Sequence, residues 1–164
     1  LKTIPEQYLE DIKTIISLAR AHLGLGRELD VVVFLGKAGK MLKAFPLSAP
    51  EKTAQNILIS LVRAFARTTK AEYAILISEG WGLNSTLNRE EVTKFAESGE
   101  SILNHPDRKN VVMIMLETQT GFWMSQTQIK SLDGEARDFD DPKFEFTHWA
   151  EGRFTNFLPH ENTH

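Results

Sequence analysis

Between residues 5 and 23 apolar side chains return every three or four positions, at Tyr8, Ile12, Ile15, Ile16, Ala19 and Leu23. That spacing predicts a helix with one buried stripe. Pro5 suits a first turn, Glu6, Glu10 and Asp11 sit early and Arg20 and His22 late, and Gly24 and Gly26 offer a left-handed exit. From Leu29 to Leu35 the period breaks. Val31-Val32-Val33-Phe34 is apolar on both faces and mostly β-branched, as expected of a central strand. Gly36-Lys37-Ala38-Gly39 then turns the chain into Lys40 to Leu47, where Lys43 and Pro46 favour a sheet edge. A second helix opens at Ser48-Ala49-Pro50 and ends near Lys70. Its expected buried stripe is Ala54, Ile57, Leu58, Leu61, Val62 and Phe65, with Lys52, Gln55, Asn56, Arg63 and Arg67 toward water.

Tyr73 to Ser78 is again apolar throughout, a buried strand running out through Glu79, Gly80, Trp81 and Gly82. Asn88 with Glu91 three residues later is a capping-box arrangement for a shorter third helix carrying Val92, Phe95 and Ala96 and stopping at Gly99. A loop from Ser101 to Asn110 contains His105-Pro106-Asp107-Arg108, and Val111 to Leu116 is the third fully apolar strand. Phe122 to Ile129 follows a turn at Thr120-Gly121 as its antiparallel neighbour, and Asp133-Gly134 ends it. Between Asp133 and Glu151 there are seven acidic residues against two basic ones, interleaved with Phe139, Phe144, Phe146 and Trp149. The acids require solvent and the aromatics require a partner. This stretch is expected to wrap the domain or a sister subunit, with a short strand at Lys143 to Thr147.

Three strands too apolar to face water must be covered by helices on both sides. The expected fold is therefore a single α/β (α+β) domain with a mixed, mostly antiparallel five-stranded sheet of order 2-1-3-4-5 and helices on both faces. Its domain would span residues 1–137, and an acidic-aromatic extension residues 138–164.

Composition narrows the function classes. No apolar run reaches the ~20 residues of a membrane span, and the N-terminus has no basic segment leading into an apolar one. A net charge of -3 gives no field for polyanions, so nucleic acid is not supported. Cysteine is absent, which removes thiolate nucleophiles, disulfides and Cys-ligated metals and is simplest in a reducing cytoplasm. Gly36-x-x-Gly39 with Lys37 and Lys40 lacks the P-loop spacing and joins two strands, so it reads as a hairpin turn. Ser78 has no nucleophile elbow around it.

The strand Ala74 to Trp81, the loop His105-Pro106-Asp107-Arg108 and the apolar strand from Val111 together resemble a family of small uncharacterised bacterial and phage-borne α/β proteins. In that family a Ser-Glu-x-Trp-like strand end precedes a His-Pro-Asp-Arg loop. The resemblance spans about residues 29 to 130, with Gly80 inside the motif. It implies no activity, but it points to Glu79, Trp81, His105, Asp107 and Arg108. The element order also looks like that of cytidine deaminases and of JAB-type isopeptidases. The first need cysteines and the second a His-x-His pair, and neither is present.

Glu79, His105 and Asp107 all lie at strand-to-loop junctions, and a carboxylate-imidazole set suits a divalent metal that could acidify water for hydrolysis. The same residues also have ordinary roles: Asp after Pro makes turns, and a loop His is commonly solvated. His148 in the tail is a more distant possible ligand. Trp81, Arg108 and Trp149 are candidate binding residues, against core packing as the default for tryptophan. The leading expectation is a cytoplasmic binding or accessory domain, non-catalytic, needing no cofactor and self-associating, with the C-terminal tail available to a protein partner. The alternative is a metal-dependent hydrolase built on Glu79, His105 and Asp107.

Overall fold

A computed structural model describes residues 2–83, 94, 97–99, 101, 108–150, 152 and 154–159. After a 3-10 turn at Glu6–Tyr8 the chain forms α1 (Leu9–Gly24), β1 (Val32–Lys37), β2 (Lys40–Pro46), α2 (Lys52–Thr69) and β3 (Tyr73–Leu83). It continues as β4 (Arg108–Thr118), β5 (Gly121–Ser131), β6 (Arg137–Phe139) and β7 (Glu145–Thr147). The third helix expected between Asn88 and Gly99 falls largely outside the described residues.

Alternation along β3 sorts the core. Tyr73, Ile75 and Ile77 meet Val112, Ile114 and Leu116 of β4 and Trp123 of β5 on one face, where Tyr8, Ile12, Ile15, Ala19 and Leu23 cover them. Ala74 and Leu76 point the other way, with Val33, Leu35, Met115 and Phe122, under Ile59, Val62 and Ala66 of α2. The helices therefore lie on opposite faces, which is why β3 and β4 tolerate no polar face along their middles. The stripe read for α1 is the buried one.

The stripe read for α2 is rotated. Ile57 and Leu61 are 57% and 56% exposed, while Ile59, Val62 and Ala66 are buried. Residues 57 to 62 are apolar at five of six positions, so periodicity alone does not choose a face. The sheet decides.

Neighbouring strands run β2-β1-β3-β4-β5-β6, with β7 also on β5, and every pair is antiparallel. The expected order 2-1-3-4-5 is present as the core of this sheet. What differs is the count and the mixed character: seven strands replace five, because the tail folds back along β5. Ser131 pairs with Arg137 at one end of β5 and Phe122 with Thr147 at the other. Between them the edge strand is interrupted at Asp140-Asp141-Pro142, where proline has no N–H for the ladder. The expected boundary at residues 137 and 138 falls inside β6.

Arg20 of α1 fastens β6 by reaching the Phe139 carbonyl at 3.2 Å and Asp141 at 2.8 Å while lying over the Phe139 ring. Phe139, Phe144 and Phe146 join the α1 side of the core, whereas Phe154, Phe157 and Leu158 join the α2 side. The tail thus passes round the β5 edge from one face to the other.

Two sites on the β1–β3 seam are sensitive. A Cβ at Gly36 would lie 2.3 Å from the Tyr73 hydroxyl and 2.7 Å from the Lys40 carbonyl, where β1 and β2 also shift register. Gly36→Ala is expected to cost about 2 to 3 kcal/mol in urea unfolding, because the obstacle includes backbone. The Tyr73 hydroxyl and Asp11 Oδ2 are buried without hydrogen bonds of normal geometry. Burial first, then the adjacent Asp11 carboxylate, pushes the phenol above its ordinary range. The folded chain then holds a proton that the unfolded chain releases, so stability falls as pH rises above about 10.

Candidate functional site

β3 outruns β1 and carries its last residues, Glu79 and Trp81, past the apolar core on the α1 side, opposite Val112 and Asn110 of β4. Glu79 Oε2 accepts from Asn110 Nδ2 at 2.8 Å and from Arg137 at 2.8 Å. Its Oε1 accepts from Arg137 at 3.0 Å and from the Leu29 amide at 3.1 Å. The Arg137 contact is a fork facing a fork, the geometry in which guanidinium and carboxylate bind most specifically. The same guanidinium donates to the Arg27 carbonyl, so one cluster ties β3, β4, β6 and the loop after α1 together. Burial raises the Glu79 pKa, but hydrogen bonds from Arg137, Asn110 and Leu29 and the Arg137 charge outweigh it and hold the carboxyl below its usual range.

Four donors leave Glu79 without a lone pair directed at solvent, so the arrangement is that of a structural clasp. Nearby, Arg108 lies 5.2 Å from the centre of the Trp81 ring, and Trp81 is 45% exposed. The structure therefore brings Glu79, Trp81 and Arg108 together at one end of the sheet. His105 and Asp107 lie outside the described residues. Among the described residues no group of three or more His, Asp or Glu side chains converges as metal ligands would. His148 packs edge-on against Phe146, just beyond β7 at the far end of β5 from Arg137. The nine residue steps along β5 from Phe122 to Ser131 put it roughly 30 Å from the Glu79 cluster.

The tail is held by two charged residues that each bond its backbone. Glu117 at the end of β4 is fully buried and accepts from the backbone amides of Phe157 at 2.8 Å and Leu158 at 2.9 Å. Arg63 of α2 donates to the carbonyls of Thr155 and Asn156 at 3.1 and 3.2 Å. Neither residue stood out in the sequence. Trp149 lies on the loop between β7 and this anchor and remains 67% exposed, whereas Trp123 is in the core.

Among the described residues, the outer face of α2 keeps two large apolar side chains exposed, Ile57 and Leu61. Thr53, Asn56, Ile57, Ser60 and Leu61 line a shallow depression of about 350 Å³ there. From Lys52 to Ala71 the chain has no acidic residue and four basic ones, Lys52, Arg63, Arg67 and Lys70. A larger groove of about 1090 Å³ runs between residues 2–9 and the Trp123, Phe144 and Phe146 rings, with Lys2 over Phe146 and its carbonyl accepting from the Trp123 indole.

No family model, curated protein or solved structure matches this chain. The geometry alone carries the functional argument. No helix among the described residues is long and apolar enough to cross a membrane.

Proposed function

We propose that this chain is a non-catalytic binding domain that self-associates through the outer face of α2. The observation that carries this reading is the pair Ile57 and Leu61, one helical turn apart and more than half exposed on a helix whose Leu58, Ile59, Val62, Phe65 and Ala66 pack against the core. Aliphatic side chains paired in this way on a basic helix gain free energy when a partner covers them, about 1.5 to 3 kcal/mol for each side chain fully buried. The tail was the other expected route to a partner. Its phenylalanines instead pack on their own domain, which leaves Trp149 as its exposed aromatic residue. Support for the hydrolase reading is weaker, because the Glu79 carboxylate is fully engaged by protein donors. A cytoplasmic setting belongs to the proposal and rests on the absence of cysteine.

Sedimentation velocity across a micromolar to millimolar series tests the reading. Wild type is expected to shift to higher mass with concentration, and Ile57→Asp to remain monomeric with an unchanged melting temperature, since the site faces solvent. Equal behaviour of the two proteins would remove the α2 face from the account.

A further inference from the structure

We infer that a cavity at the C-terminal end of α2 binds a free α-amino acid, with its carboxylate on Arg67 and Lys70 and its ammonium on Glu72. The cavity measures about 370 Å³ and is bounded by the 3-10 turn at Glu6–Tyr8, the end of α2 with its link to β3, the β4–β5 turn, and the tail at Pro159. Gln119 in the β4–β5 turn donates to the Pro159 carbonyl at 2.8 Å, so the tail closes one side. The depression between Ile57 and Leu61 shares no residue with it.

Three charged side chains line this cavity without neutralising one another. Arg67, Lys70 and Glu72 are all exposed, and among the described residues none of them forms an ion pair. Glu72 Oε1 accepts from the Ala38 amide at 3.4 Å, which leaves its other oxygen for a ligand. Lys70 closes α2 at a φ of 54°, in the left-handed region where glycine is the usual residue. A cation therefore stands where a residue without a side chain would be less strained. Tyr8 lines the same cavity and is 6% exposed. Burial raises its phenol, the Gln7 side chain offsets part of that rise, and the Glu72 charge adds to it, so the hydroxyl keeps a proton to donate.

The balance of charge selects the ligand. Two cations meet one carboxylate and the negative end of α2, which carries about half an elementary charge. The positive surplus is then only about half a charge. A phosphate overshoots that surplus and offers nothing to Glu72, whereas a zwitterion is neutral overall and satisfies both signs. The volume is near the lower end of the roughly 300 to 1,000 Å³ of ligand sites, and Pro5, Ala71 and Pro159 supply apolar wall for a small side chain.

Ligand analogues and charge variants together test the assignment. Amide chemical shifts are followed by NMR while each standard amino acid is titrated singly to millimolar concentration. At least one is expected to bind, with the largest shifts at Ala71, Gln119 and Thr120. Its N-acetyl derivative, which lacks the cation, and its amide, which lacks the carboxylate, should each bind about tenfold more weakly or worse, the loss expected for one charge-assisted hydrogen bond. In Glu72→Gln the free and N-acetylated ligands should bind alike, and in Arg67→Ala with Lys70→Ala the free acid and its amide should do so, while circular dichroism melts show both variants folded. Equal binding of the free and N-acetylated ligands by wild type, or tighter binding of inorganic phosphate, would overturn the amino acid as ligand in favour of a plain anion site. Shifts confined to other parts of the molecule, or none with any amino acid, would overturn the site itself.

Discussion

Replacing Glu117 by alanine is expected to lower the stability to urea by about 3 kcal/mol or more and to release residues 154–159 to protease. The carboxylate is fully buried and takes both the Phe157 and Leu158 amides, so the substitution orphans two N–H groups in an apolar setting. Each costs about 1 to 3 kcal/mol if no water replaces the oxygen. Loss of the anchor also unseats Phe157 and Leu158, which lie against α2. Glu117→Gln keeps one carbonyl oxygen and should lose roughly half as much. Arg63→Ala, acting on carbonyls that water can reach more easily, should lose less again, about 1 kcal/mol. A Glu117→Ala protein with wild-type stability and a protected tail would show that the anchor is dispensable.

Arg137→Ala is expected to cost about 3 kcal/mol. Its side chain and that of Glu79 are 18% and 11% exposed, so removing the cation strands a nearly buried carboxylate. The pH dependence follows from the lowered pKa of Glu79. A carboxyl held below its ordinary 4.5 contributes stability that is present above that value and is lost as pH falls through the lower folded value. Urea midpoints of wild type and Glu79→Gln should therefore differ at pH 7 and converge in acid. A difference that persists undiminished down to pH 2 would mean that the charge of Glu79 is not what the clasp uses.

The strands were legible because their residues are apolar on both faces, and that pattern has one structural solution, a sheet covered twice. The α1 stripe was legible for a related reason: polar residues flank it closely enough to leave a single face. α2 was not, since Leu58, Ile59, Leu61 and Val62 occur together and only the sheet beneath selects Ile59 and Val62. The tail's aromatics showed that it must pack on something, and Glu145–Thr147 lies within the short strand expected at Lys143 to Thr147. Its destination depended on Glu117 and Arg63, charged residues within apolar elements whose partners are backbone atoms more than 90 positions away in the case of Arg63. Strand ends alone grouped Glu79 with His105 and Asp107, which lie outside the described residues, whereas Trp81 and Arg108, at the same end of the sheet as Glu79, were marked only by the resemblance. That Glu79 serves as a clasp depended on Arg137 and Asn110, which no local motif connects to it.

Whether α2 offers its outer face to another molecule of the same chain can be tested at a single atom. The protein has no cysteine, so Ser60→Cys places one thiol in the depression between Ile57 and Leu61, and Lys13→Cys places a control on exposed α1. Alkylation rates measured across a concentration series should fall at position 60 as the protein associates and stay constant at position 13. A rate at position 60 that is independent of concentration, in samples whose mass increases, would contradict the account.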